Sequence, residues 1–448
     1  MAGISVEPYS ELTFDADGDV SPAERDRLMA LVSQGEITDL LVFAHGWNND
    51  RSIATRLYGH FFEPFPRLLG DAPGVRLGYV GVLWPAMRFS DEPIPDFDPS
   101  LTARTGVGDA ARHLLGKASQ RALNEVFPGH EQAVSRLAEL LGERPRQDAR
   151  FEEFARLVRE LISIGPRSAA VAFAADHTDE VPDDDPAAGE PAMLADDPVG
   201  VCEFFGALLA AVDDRTGTAA APATLGIGLD RLWNGAHELL RQATYYAMKR
   251  RAGTVGQLGL GPVLGRLADA SPDVRIHLLG HSFGGRLVSF ALRGLPEGVT
   301  SVRSTTLLQG AFSHYAFAER LPHAKSRGGA LNGVQNRVAG PLVSCYSHHD
   351  SALGTLYPIA SRVAGDTAGL LGLDSRWGAV GYDGIQAVPG STKLSLADAL
   401  RGPLPADGCV SVDVASVVRH GPPPAGAHSD ICHEELAGVM LAAGRIGR

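Results

Sequence analysis

The stretch Val274-Arg275-Ile276-His277-Leu278-Leu279-Gly280-His281-Ser282-Phe283-Gly284-Gly285-Arg286-Leu287-Val288-Ser289-Phe290-Ala291-Leu292 decides the fold. Its first six residues read as a strand, Gly280 to Gly285 as a tight turn, and the run from Arg286 as a helix. Within the turn, Gly280-His281-Ser282-Phe283-Gly284 matches G-x-S-x-G. In that motif a serine is held in a strained turn between strand and helix, and the small glycines let the backbone pass without clash. The string alone is weak, expected about 0.4 times by chance at this glycine and serine content. The strand before it and the helix after it give it weight.

Upstream, Ser21-Pro22-Ala23-Glu24 has the form of a capping box with proline at the first helical position, which predicts a helix to about Ser33. Thr38 to Ala44 and Val75 to Leu83 are apolar runs that read as strands, with a helix from roughly Ser52 to Leu69 between them. That βαβ rhythm predicts an α/β protein with a parallel sheet. Downstream, further strands are expected at Val302 to Leu308, Pro341 to Ser347 and Cys409 to Val414, and a last helix at Cys432 to Ala443. A long amphipathic helix from Leu229 to Ala247 is expected to lead through a glycine-rich turn, Gly256 to Gly261, into the strand before the motif.

The region between these halves differs. Short helical patterns dominate from Pro85 to about Leu225, the clearest placing Phe151, Phe154, Leu157, Val158, Leu161 and Ile162 on one face, which reads as a packing face. Between Arg167 and Arg215 lie twelve acids and no basic residue, so a solvated, mobile acidic loop is expected at about 176–198. The expected organisation is a core of residues 1–85 and 226–448 interrupted by a helical cap insertion, 86–225.

With 40 Lys+Arg against 53 Asp+Glu the formal charge is −13. Nucleic acid is disfavoured as a partner, because its binding draws on a concentrated basic surface. No run approaches the roughly 18 apolar residues of a membrane helix. The first residues lack the charged and apolar regions of a secretory signal, and the four cysteines form no C-x-x-C pair, so a cytoplasmic location is expected.

A serine hydroxyl is a poor nucleophile near neutral pH and needs a base, an acid to orient that base, and donors for the developing oxyanion. The Phe283 backbone N–H, at the start of the helix, is one donor. His45-Gly46-Trp47, following the strand Thr38 to Ala44, is placed to give the second, with the Trp47 N–H first and Asn48 next. Asp350, in Tyr346-Ser347-His348-His349-Asp350-Ser351, sits at a strand's carboxyl end and is the expected acid, although an aspartate there also suits a helix N-cap. The expected base is His428, in Gly426-Ala427-His428-Ser429-Asp430, with His433 and His420 as rivals.

The chain order Ser282, Asp350, His428, with Gly280 and Gly284 around the serine and His45-Gly46 before Trp47, resembles the α/β-hydrolase superfamily, and more closely its bacterial esterase/lipase-like serine hydrolases with a histidine-glycine oxyanion loop. The resemblance covers roughly Ile37 to Pro85 and Leu229 to Arg448. It implies an eight-stranded, mostly parallel sheet flanked by helices, a serine that is acylated, a histidine that activates water, and no cofactor or metal. The implied partner is a small-molecule acyl ester, with thioester or amide substrates open. An inactive member of that fold, acting as a binding or scaffold protein, is the alternative. A metal site from His348, His349, Asp350 and His433 is a weaker idea, because successive side chains of a strand diverge.

Overall fold

A computed structural model describes residues 4–89, 114–162, 172–178, 197–216, 227–356, 378–421 and 426–447. Eight strands form one sheet: β1 (Tyr9–Thr13), β2 (Asp39–Ala44), β3 (Leu77–Leu83), β4 (Arg275–His281), β5 (Val302–Leu308), β6 (Pro341–Tyr346), β7 (Thr392–Ser395) and β8 (Gly408–Asp413). Their order across the sheet is β1-β3-β2-β4-β5-β6-β8-β7. Every pairing is parallel. The sheet is thus wholly, not mostly, parallel, and the architecture is that of an α/β-hydrolase fold.

Six of these strands are the expected apolar runs. The other two, β1 and β7, form the sheet's edges and gave no sequence signal, since only Leu12 of β1 is fully buried and β7 has no buried residue. A strand with one paired side and half-wet faces has little need of an apolar run.

Both faces are covered. Leu40, Val42 and Ala44 of β2 point into one core, and Leu41 and Phe43 into the other, as the period of two dictates. On the second face lie α2 (Arg51–Phe62) and α3 (Phe65–Leu69), which Pro64 separates where one helix was expected, and the last helix, Glu434–Gly444. On the first face lie α1 (Pro22–Ser33) and a long helical run made of Ile227–Thr254, a π-helical turn Val255–Leu260, and Gly261–Ala270.

The run corrects one expectation: Gly256 to Gly261 is helical and not a turn. Its glycines serve close packing, since a Cβ on Gly256 would lie 2.2 Å from the Leu287 carbonyl oxygen and one on Gly261 2.6 Å from that of Ala291. The capping box is also absent. Ser21 makes no side-chain cap bond, and Glu24 instead accepts the Thr13 N–H at 2.7 Å, joining α1 to β1.

Helices α4 (Lys117–Val126), α5 (Glu131–Glu143), α6 (Asp148–Ile162) and α7 (Pro198–Thr216) belong to the intervening region. The apolar face of α6 is buried, with Phe151 stacked on Trp233 at 4.4 Å, so it packs inside the protein. Of the expected acidic loop, residues 179–196 lie outside the described residues. Its first residue is not solvated: Asp176 is buried and accepts from Arg286 at 2.6 Å and Lys249 at 2.7 Å. A buried carboxylate is tolerable only with such cations beside it. Among the described residues no helix is long and apolar enough to cross a membrane.

Candidate functional site

In a parallel sheet all strands present their carboxyl ends at one edge, and a crevice opens where consecutive connections depart in opposite directions. Here β2 to β3 runs toward β1, whereas the chain returns from β3 to β4 on the other side of β2. The crevice therefore lies between the ends of β2 and β4. Gly46 follows the first and Ser282 the second, and a Cβ on Gly46 would come within 2.6 Å of Ser282 Cβ.

Ser282 joins β4 to the helix Phe283–Arg293 with φ 55° and ψ −121°, a conformation that L residues with a side chain adopt only under strain. The surrounding backbone enforces it. Ser282 N–H donates to Leu308 O at 3.0 Å, and its carbonyl accepts from Gly285 and Ala311 N–H. A Cβ on Gly280 would lie 2.3 Å from Gly284 O, and one on Gly284 only 1.9 Å from Ala44 O, so neither position admits a side chain.

Asp350 and His428 reach the same point from the ends of β6 and β8. Their loops are fastened together where Ala427 N–H donates to His349 O at 3.2 Å. His428 Nδ1 lies 2.7 Å from Asp350 Oδ2, and His428 Nε2 lies 2.9 Å from Ser282 Oγ. Facing a carboxylate, Nδ1 holds the ring proton, which leaves Nε2 to accept from the serine hydroxyl. Asp350 is fully buried, and its other oxygen, Oδ1, accepts the Leu353 N–H at 3.0 Å. One oxygen of Asp350 thus faces His428, and the other takes a backbone N–H of the helical turn that follows.

The rival histidines lie elsewhere. His433 Nε2 bonds Asp430 Oδ1 at 2.8 Å, and His420 uses its backbone N–H on Asp430 Oδ2. The rings of His348 and His349 lie tilted against each other with centroids 4.1 Å apart, and among the described residues no group of His, Cys, Asp and Glu is arranged to hold a metal ion.

Asn48 is removed as an oxyanion donor, since its N–H is given to Met87 O at 3.1 Å. Phe283 opens its helix, so its N–H has no intrahelical partner. Trp47 lies between Gly46 and Asn48 on the loop against the serine. His45 braces that loop: Nδ1 bonds Gly46 O at 2.9 Å, the ring stacks on Trp84, and the Trp84 indole donates to His45 O. Burial pushes its pKa down to about 4, so the ring is neutral at pH 7.

One residue had no role from sequence. His281, inside the motif, is buried and bonds the backbone carbonyl of His428 through Nε2 at 2.8 Å. Burial, with the neighbouring His428, pushes its pKa down to about 3. A carbonyl only accepts, so this neutral ring must hold its proton on Nε2. It thereby fixes the segment that carries His428. Only its position in the motif marked it.

The arrangement can transfer a proton from a hydroxyl to an imidazole held by a carboxylate, next to a helix N-terminus that favours negative charge. Compared with family models, with curated proteins and with solved structures, the chain gives no match.

Proposed function

We propose that the chain is a serine hydrolase that cleaves a carboxylic ester, or the related thioester or amide, through an acyl-serine intermediate. The observation that carries this reading is the unbroken row from Ser282 Oγ to His428 at 2.9 Å and on to Asp350 at 2.7 Å, at the crevice between β2 and β4. Ser282 Oγ attacks the acyl carbon while its proton passes to His428 Nε2. The oxyanion is received by the N–H groups of Phe283 and Trp47, the loss of one such donor costing about 10²–10³ in turnover. Collapse expels the alcohol, which takes the proton from His428. Water then gives its proton to His428, attacks the acyl-serine and releases the acid, returning the hydrogen to Ser282. Asp350 holds the imidazole in the tautomer that both halves require.

The same reading puts the enzyme in the cytoplasm, where its four free thiols stay reduced. The test is covalent labelling with a fluorophosphonate probe. The wild-type protein should be modified at Ser282, and Ser282→Ala should lose the label while keeping its fold. No adduct on a folded wild type would sink the reading and leave a binding role for the fold.

A further inference from the structure

Most buried polar groups in proteins are hydrogen-bonded, and one left bare is costly. Around Ser282 several are bare among the described residues, including His281 Nδ1, Asn48 Oδ1 and Asn49 Oδ1. Two of them are donors on aromatic rings: the indole Nε1 of Trp47 and the hydroxyl of Tyr245, on the helix Ile227–Thr254, are buried and have no hydrogen-bond partner among the described residues. The two rings meet edge to face with centroids 5.2 Å apart, and Tyr245 lies 4.6 Å from the ring of Phe283. Trp47 and Phe283 are the residues whose N–H groups the hydrolase reading assigns to the oxyanion. Tyr245 is thus wedged between the two sides of the proposed oxyanion site. Its hydroxyl remains a neutral donor, held protonated first by burial and then by the charges of Asp176 and Asp350, against the opposing pull of Arg286.

The side of the substrate these groups meet follows from the core they join. Trp47, Tyr245 and Phe283 pack in the core of the first face, whereas Ala427, next to the base, packs in that of the second. The leaving group must face His428, which gives it a proton. On the hydrolase reading, an acyl group placed opposite His428 extends toward Trp47 and Tyr245. An indole N–H only donates, and a phenol donates as well as accepts. A plain alkyl chain would leave both groups dry and unpaired; an oxygen on the acyl chain would satisfy them.

We propose that Trp47 and Tyr245 select an acyl group bearing its own oxygen acceptor, so that the substrates are esters of short hydroxylated acids and not of alkyl acids. This inference rests on the hydrolase reading and narrows it.

The experiment compares the p-nitrophenyl esters of 3-hydroxybutyric and 3-methylbutyric acid, which differ by a hydroxyl in place of a methyl group. The full-length protein should favour the hydroxy ester about tenfold or more in kcat/KM. Tyr245→Phe should lose most of that ratio, chiefly through the hydroxy ester, and should melt no lower than wild type because no protein hydrogen bond is lost. Equal rates on both esters, or a faster methyl ester, would overturn the inference while labelling of Ser282 upholds the hydrolase. An equal drop on both esters in Tyr245→Phe would overturn it too, as the mark of a packing role. Should the variant not fold, the wild-type ratio decides alone. A folded protein that is neither labelled nor active on either ester fails as a hydrolase, and the inference falls with it.

Discussion

At the carboxyl edge of the sheet Ser282, His428 and Asp350 stand in a row; nearer its amino end, Ser304 of β5, His277 of β4 and Asp39 of β2 do the same. His277 Nδ1 lies 2.9 Å from Ser304 Oγ, and Nε2 lies 2.9 Å from Asp39 Oδ1. The residue types and the spacings match, although the imidazole is turned end for end. What differs is the setting. All three residues of the inner row are fully buried, and a Cβ on Gly444 of the last helix would touch the His277 ring at 2.7 Å. Ser304 lies within β5 beside an irregularity in its pairing with β4, not at the head of a helix, and Arg275 holds Asp39 at 2.6 Å. At the outer row the His428 side chain keeps 16% exposure and Ser282 is strained forward at the head of a helix. Hydrogen-bond geometry alone therefore does not make a reactive serine. On the hydrolase reading, access, backbone strain and waiting N–H donors make the difference, and an inner row without them is a polar rivet between strands.

Four experiments would break or sharpen that contrast. The largest effect belongs to Asp350→Asn, which should lower turnover about 10⁴-fold by favouring the wrong imidazole tautomer, with little change in melting temperature. Asp39→Asn should leave turnover per folded molecule intact, and a matching loss from both would erase the distinction.

Stability should respond the other way round. Asp39→Ala leaves His277 and Arg275 without their carboxylate and should cost about 3 kcal/mol in urea unfolding. Asp39 ionises below its usual range although burial opposes this, because His277 and Arg275 bond its charged form.

Acid should act through the buried rings. The pKa values of His45 and His281 are lowered, so their contribution is complete above the unfolded value of about 6.5 and is lost as pH falls toward about 4 and about 3. Unfolding between about pH 7 and about pH 5 should show a loss of about 2 kcal/mol for each neutral ring. His281→Gln should flatten that slope, and an unchanged slope would mean that the ring is charged in the folded protein.

The smallest effects have opposite signs. Ser304→Ala should destabilise by about 1 kcal/mol and leave fluorophosphonate labelling untouched. Ser282→Gly should stabilise by a similar amount, about 1 kcal/mol, by relieving a positive φ.

The six inner strands, the motif between β4 and its helix, and the order of Ser282, Asp350 and His428 were all legible in the chain. Buried parallel strands must be continuously apolar, and a strained turn between strand and helix must be rich in glycine, so both leave a local signature. The edge strands left none, because water satisfies half of each. Gly256 to Gly261 misled because a glycine needed for a turn and one needed for close helix packing look alike in sequence. Whether Glu24 caps its own helix or reaches Thr13 depends on what lies beside it in space.

The sequence by itself thus determined the six inner strands and the residue types at their ends, since each depends on neighbours a few positions away. Only the tertiary structure decided that His428 and not His433 meets Ser282, that His281 holds the loop of that base, that Tyr245 stands bare beside Trp47, and that Ser304 with His277 and Asp39 is sealed. Those outcomes turn on the direction of side chains from strands and helices distant in the chain, and contacts of that kind are fixed by packing across the sheet and not by any local pattern.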